Sequence, residues 1–171
     1  MRNIKAAVRD ELKQEIAKRI KGTVAIVAIG NILRGDDGLG QRFIELLKTS
    51  PVRASLFDCG TAPENYIFPI LSTACDTVVL VDAADLEIPP GEARVFGLDS
   101  VSSVSFSTHN PSPRLFTDLL KTGKDDLNIF FVCVQPKTTA LGQGLSGEVL
   151  EGVNSLAGIF SEILGSSGDD A

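Results

Sequence analysis

The chain has 171 residues, 43% apolar and 22% charged, the proportions of one globular domain long enough to bury a core. A formal net charge of -6 repels phosphate backbones and argues against nucleic acid as a partner, and no run of about 18 apolar residues is present to insert into a membrane. Three cysteines, Cys59, Cys75 and Cys133, make neither an even disulfide framework nor a CxxC pair; with no apolar export signal at the N-terminus, a reducing cytoplasm is the expected compartment.

Residues 3–21 read as a charged helix, because Ile4, Val8, Leu12, Ile16 and Ile20 recur every fourth position as a narrow apolar stripe that stops at Gly22. Residues 1–22 are therefore expected to form a helical extension, 23–164 the main domain and 165–171 a frayed tail. TVAIVAI, residues 23–29, is a short β-branched run ended by Gly30-Asn31, the pattern of a strand buried on both faces. After the loop GNILRGDDG, a helix carries Leu39, Phe43, Leu46 and Leu47 on one face, and RASLFDCG follows as a second strand. Thr61-Ala62-Pro63-Glu64 fits a capping box opening a helix to about Ser72.

TVVLVDAAD is the most strand-like segment, apolar until it meets Asp82. PPGEARVFGL gives a turn and an extra strand, and residues 99–108 an exposed connection. Asn110 to Pro113 open a helix bearing Leu115, Phe116, Leu119 and Leu120, before NIFFVCV forms the last buried strand. A polar loop, QPKTTALGQG, leads to a closing helix marked by Val149, Val153, Leu156, Phe160, Ile163 and Leu164. Buried strands alternating with helices imply a three-layer α/β/α sandwich around a mostly parallel twisted sheet.

In such sheets the connections leaving the carboxyl ends of the strands converge on one rim, where ligands bind. The polar residues expected there are Asn31, Asp36 and Asp37 after the first strand, Asp58 after the second, Asp82 and Asp85 after the third, and Gln135 after the last. The single histidine, His109, precedes a helix between the third strand and the last. Two carboxylates and an imidazole, Asp37, Asp82 and His109, suit a half-open site for nickel or zinc, or a division of acid and base roles around a water. Each also has a plainer reading. An Asp-Asp pair can cap a helix, a strand-end aspartate can make an Asx turn, and a histidine before Asn-Pro can be structural. Cys59 reads as a small buried thiol near the rim, and Cys75 and Cys133 as core. The first loop is neither GxGxxG nor a GK[ST] phosphate loop, and neither GxSxG nor HExxH occurs.

GNILRGDDGLG, DCGTAPEN, VLVDAADLEIPPGE, STHNPS and VCVQP, in this order, resemble the hydrogenase maturation endopeptidases, over about Val24 to Gln135 with a matching final helix. Within that family the chain looks most similar to the branch serving formate-linked or membrane-bound nickel–iron hydrogenases. The resemblance implies a phosphorylase/hydrolase-like fold and a protease often classed with aspartic endopeptidases. Its substrate would be a large-subunit precursor with nickel already inserted, trimmed of its C-terminal extension. By motif position it also implies that Asp37, Asp82 and His109 contact that nickel, which the substrate presents and the enzyme does not hold permanently, whereas Asp36 matches a non-ligand aspartate. A monomer is the working expectation. The chain departs from the family pattern in its N-terminal helix and in Cys59, where glycine is common.

Two rivals carry distinct expectations. A receiver-like phosphoacceptor would use Asp36, Asp37, Asp82 and Lys137, although GNILRG separates the acidic pair from its strand. A non-enzymatic nickel adaptor or chaperone for the large subunit would use the same three ligands without cutting.

Overall fold

β-Branched runs with no charge can be covered on both sides, and they form the centre of the sheet. β1 (Val24–Ala28), β3 (Thr77–Asp85) and β6 (Asn128–Val134) lie side by side in the computed structural model, which describes residues 2–106 and 113–165. β2 (Ser55–Asp58) and β4 (Ala93–Gly97) close the two edges, giving the order β2-β1-β3-β6-β4, while β5 (Ser105–Phe106) pairs with the end of β3. β2, β1, β3 and β6 are parallel; β4 runs antiparallel to β6, and β5 antiparallel to β3.

Alternation along each strand separates two cores. Val24, Ile26, Val79, Val81, Phe130 and Val132 face α2 (Leu39–Lys48), α5 (Gly147–Leu164) and the buried Ile16 of α1 (Arg2–Arg19). Ala25, Val27, Val78, Leu80, Ile129 and Phe131 face α3 (Ile67–Ser72) and α4 (Pro113–Gly123). The sheet is thus a mostly parallel one with helices on both sides, as the alternating sequence pattern implies. No helix among the described residues is long and apolar enough to cross a membrane.

Three elements differ from their sequence reading. The apolar stripe of α1 is covered only in part, since Ile16 is fully buried but Val8 is 43% exposed, and Arg9 and Lys13 instead fasten the helix to Glu162 of α5. The helix after β2 begins with a 3-10 turn at Pro63 whose N-cap is Ala62, one residue later than the Thr61–Glu64 capping box places it. Residues 99–106 are also more ordered than an exposed connection: Val101 is buried in a short 3-10 turn, and Phe106 stacks against Phe131 at 5.7 Å.

At the amino ends of the strands, Asp76 joins three segments. The Thr23 amide and hydroxyl donate to its Oδ2 at 2.9 and 3.0 Å, and the Lys124 ammonium reaches Oδ1 at 3.0 Å. The Thr23 amide first, then Lys124, hold this carboxyl at about 2, down from an ordinary 3.8. A depressed folded pKa contributes stability that is complete above about 3.8 and lost as pH falls through about 2. Thermal melts of the wild type and Asp76→Asn should therefore differ near neutrality and converge at about pH 2, the gap being small because the group is solvent-screened.

Candidate active site

β3 does not stop at Asp82. It continues to Asp85, and Asp82 sits inside the strand opposite Cys133 of β6, 2% exposed. Its parity with Val78, Leu80 and Ala84 places it on the α3/α4 side of the sheet. The parallel ladder also extends one step past the named ends of β1 and β2, through the amides of Ile29 to the Val81 carbonyl and of Cys59 to the Ala28 carbonyl. Cys59, Ile29, Asp82 and Cys133 therefore form one row across four strands, buried on the same face. A carboxylate among two thiols and an isoleucine is a costly placement for a group with only a capping role. One of its oxygens, Oδ1, accepts the Ala83 amide at 2.8 Å.

The loop after β1 brings a second carboxylate to this rim. Gly35–Gly38 form a 3-10 turn in which Asp36 and Asp37 are both buried and neither is the N-cap, a position taken by Arg34. The turn folds back so that the Asn31 amide, two residues beyond Ile29, donates to Asp37 Oδ2 at 3.0 Å and to the Asp37 carbonyl at 3.1 Å. Gly30 makes that closeness possible: its φ is +151°, and a Cβ there would collide with the Asp37 carbonyl oxygen. Asp37 is thus fixed to the end of β1 by backbone geometry, beside the strand that carries Asp82.

Asp36, adjacent and chemically identical, faces elsewhere. Its Oδ2 accepts the amides of Lys137 and Thr138 at 2.8 and 3.0 Å and the Ser146 hydroxyl at 3.0 Å, while Oδ1 accepts the Ser146 amide at 2.6 Å. The pair is therefore split between a clamp on the loop after β6, made by Asp36, and the rim, approached by Asp37. The same bonds argue against the receiver-like arrangement, because the Lys137 ammonium pairs with Glu148 at 2.7 Å rather than with the acidic pair.

The other rim residues are occupied structurally. Asp58 accepts the Gly60 amide in an Asx turn, and Gln135 latches the β3–β4 connection by accepting the Leu86 amide at 2.6 Å and donating to Asp85 at 3.3 Å. Burial first, then the nearby Asp58 charge, pushes the Cys59 thiol up to about 12. Burial first, then Asp82, raises Cys133 as well. Both shifts disfavour the thiolate, the form in which cysteine ligates a metal.

His109 lies outside the described residues, so the three-residue set is seen only through Asp37 and Asp82. The described residues flanking it are Phe106, paired to Ala84 two residues from Asp82, and Pro113, the first residue of α4 on the Asp82 side of the sheet. Among the described residues no group of three or more His, Cys, Asp and Glu side chains is placed to hold a metal ion. The partners of Asp36 had no sequence signal, being about a hundred positions away.

Comparison with known proteins bears on the fold and the family. Residues 42–163 match the HycI family model, described as hydrogenase maturation protease. The Hydrogenase 3 maturation protease of Escherichia coli K12 is 32% identical over 116 residues, covering 67% of this chain and 73% of that one. Among solved structures, the NiFe hydrogenase maturation protease HycI of Thermococcus kodakarensis KOD1 superposes with a TM-score of 0.77 at 30% identity, over 90% of this chain and 99% of that one. The solution structure of the endopeptidase HycI of Escherichia coli gives 0.74 at 27% identity, over 82% and 90%. A mostly parallel sheet covered on both faces and a family match across most of the chain converge on one conclusion: the chain belongs to the hydrogenase maturation protease family.

Proposed function

We propose that this protease removes the C-terminal extension of a nickel–iron hydrogenase large-subunit precursor after nickel insertion, and that it reads the metal through Asp37, Asp82 and His109. The observation that carries the reading is the burial of Asp37 and Asp82, 1% and 2% exposed, the one on the loop after β1 and the other near the carboxyl end of β3. Two anionic oxygen donors offset the charge of a dication, and a neutral imidazole completes a donor set suited to nickel. The metal arrives as part of the substrate. A precursor without it offers no cation to balance two buried carboxylates, so productive docking is conditional on loading. A water activated by Asp37 or Asp82 attacks the scissile carbonyl, and its proton passes by way of the carboxylate to the leaving amine. The proposed setting is the cytoplasm.

The test is incubation of the purified protein with nickel-loaded and nickel-free precursor, read by product mass. Only the loaded precursor is expected to shorten. Equal cleavage of both would remove the checkpoint, and binding without any loss of mass would favour the adaptor reading.

A further inference from the structure

Beside Asp37, three large apolar side chains point into solvent from two loops: Ile32 and Leu33 on the connection after β1, and Leu141 on the connection after β6, 56%, 62% and 73% exposed. Single exposed leucines are ordinary on a protein surface. These three differ in being held out by their backbones. Asn31 Oδ1 accepts the Leu33 amide at 2.9 Å, the Asn31 carbonyl accepts the Arg34 amide at 3.0 Å, and the Leu33 carbonyl accepts the amide of Gly142 at 2.8 Å. The Gly35 amide donates to the Gln143 carbonyl at 3.1 Å, a second stitch between the two loops. On the inner side, Ile32 is backed by Gly38, where a Cβ would stand only 3.0 Å from the Ile32 Cα. The buried Asp36 then anchors both ends of the second loop through Lys137, Thr138 and Ser146. Neither loop can move its backbone inward without breaking that set of bonds.

We infer that Ile32, Leu33 and Leu141 form a preorganised apolar lip that grips the precursor's peptide segment next to the scissile bond, and that they determine specificity for apolar residues there. The inference rests on the function proposed above. Its occupant follows from continuity: Asn31 both holds Asp37 and begins the lip, so a peptide bond brought to Asp37 lies beside the loop that carries Ile32 and Leu33, the next two residues of the chain. A lip already fixed in place loses little entropy when it is covered, so the area it buries goes into binding.

The test is steady-state processing of nickel-loaded precursor by the wild type, by Leu33→Ser, and by the combined Ile32→Ser, Leu33→Ser, Leu141→Ser protein. Removing apolar area that is covered only on binding should raise KM by roughly tenfold per side chain, with the loss falling on KM rather than kcat, and Leu33→Met should recover most of it. Melting temperatures should match the wild type, since these side chains are already in solvent. An active wild type with unchanged KM in the triple variant would overturn the lip and leave the proposed function standing. A wild type that leaves loaded precursor uncut would overturn both. Loss of self-association in the triple variant with KM unchanged would assign the patch to a second copy of the chain, and would also overturn it.

Discussion

Asp82→Asn is expected to lower processing of nickel-loaded precursor by about 10²–10⁴-fold while the protein stays folded, the range in which a positioned acid–base or ligand carboxylate contributes to a rate. The substitution is nearly isosteric. The carbonyl oxygen of the new side chain can still accept the Ala83 amide, and the flanking Cys59, Ile29 and Cys133 keep their packing around it. What changes is charge: a neutral amide is a weak donor to a dication and cannot take a proton from water. Replacing a buried carboxylate by an amide in a mostly apolar row should, if anything, be easy on stability. Melting temperature and activity are therefore predicted to separate, and retained processing at the wild-type rate would remove Asp82 from the site. His109→Ala and Asp37→Asn should show the same loss. In a binding assay with loaded precursor, all three should weaken capture.

Asp36→Ala should do the opposite, costing stability first. The carboxylate is fully buried and satisfies three backbone amides and one hydroxyl from the loop after β6. Removing it leaves those donors, on residues that are themselves only partly buried or exposed, without their common acceptor. A loss of about 3–5 kcal/mol follows, at about 1 kcal/mol for each of the four bonds lost. For a chain of this size that corresponds to a drop of roughly 10 °C in Tm. Asp36→Asn should not rescue it, because its amide group turns a donor toward amides that are themselves donors. Urea or thermal unfolding checks both. A fall below about 1 kcal/mol would mean that the loop is held by other contacts. Since the same loop carries Leu141 and meets Leu33, the destabilised protein should also bind precursor less well.

Asp36 and Asp37 mark a point where sequence reasoning runs out. They are neighbours of the same type, and nothing local separates a clamp from a rim carboxylate. Their roles diverge because Lys137, Thr138 and Ser146 approach Asp36, whereas Asn31, held next to the turn by the unusual φ of Gly30, approaches Asp37. Thr61 and Glu64 illustrate the reverse failure. The capping-box pattern is present, yet proline at position 63 starts a 3-10 turn one residue later than the pattern requires. The stripe on α1 was legible as a helix, but the pattern could not tell how much of it a neighbour would cover.

The strands, their alternation with helices and the acidic residues near their ends could all be read from the order of amino acids. Those features depend on local periodicity and on β-branched side chains that need cover on both faces. Only the folded chain put Asp82 within β3 rather than beyond it, in a buried row with Cys59 and Cys133. Folding also gave Asp36 its partners in the loop after β6, and joined Leu33 to Gly142, next to Leu141. The cause is physical: burial pattern is written every second or fourth residue, whereas the hydrogen-bond partner of a loop carboxylate is chosen by whatever segment the fold lays against it.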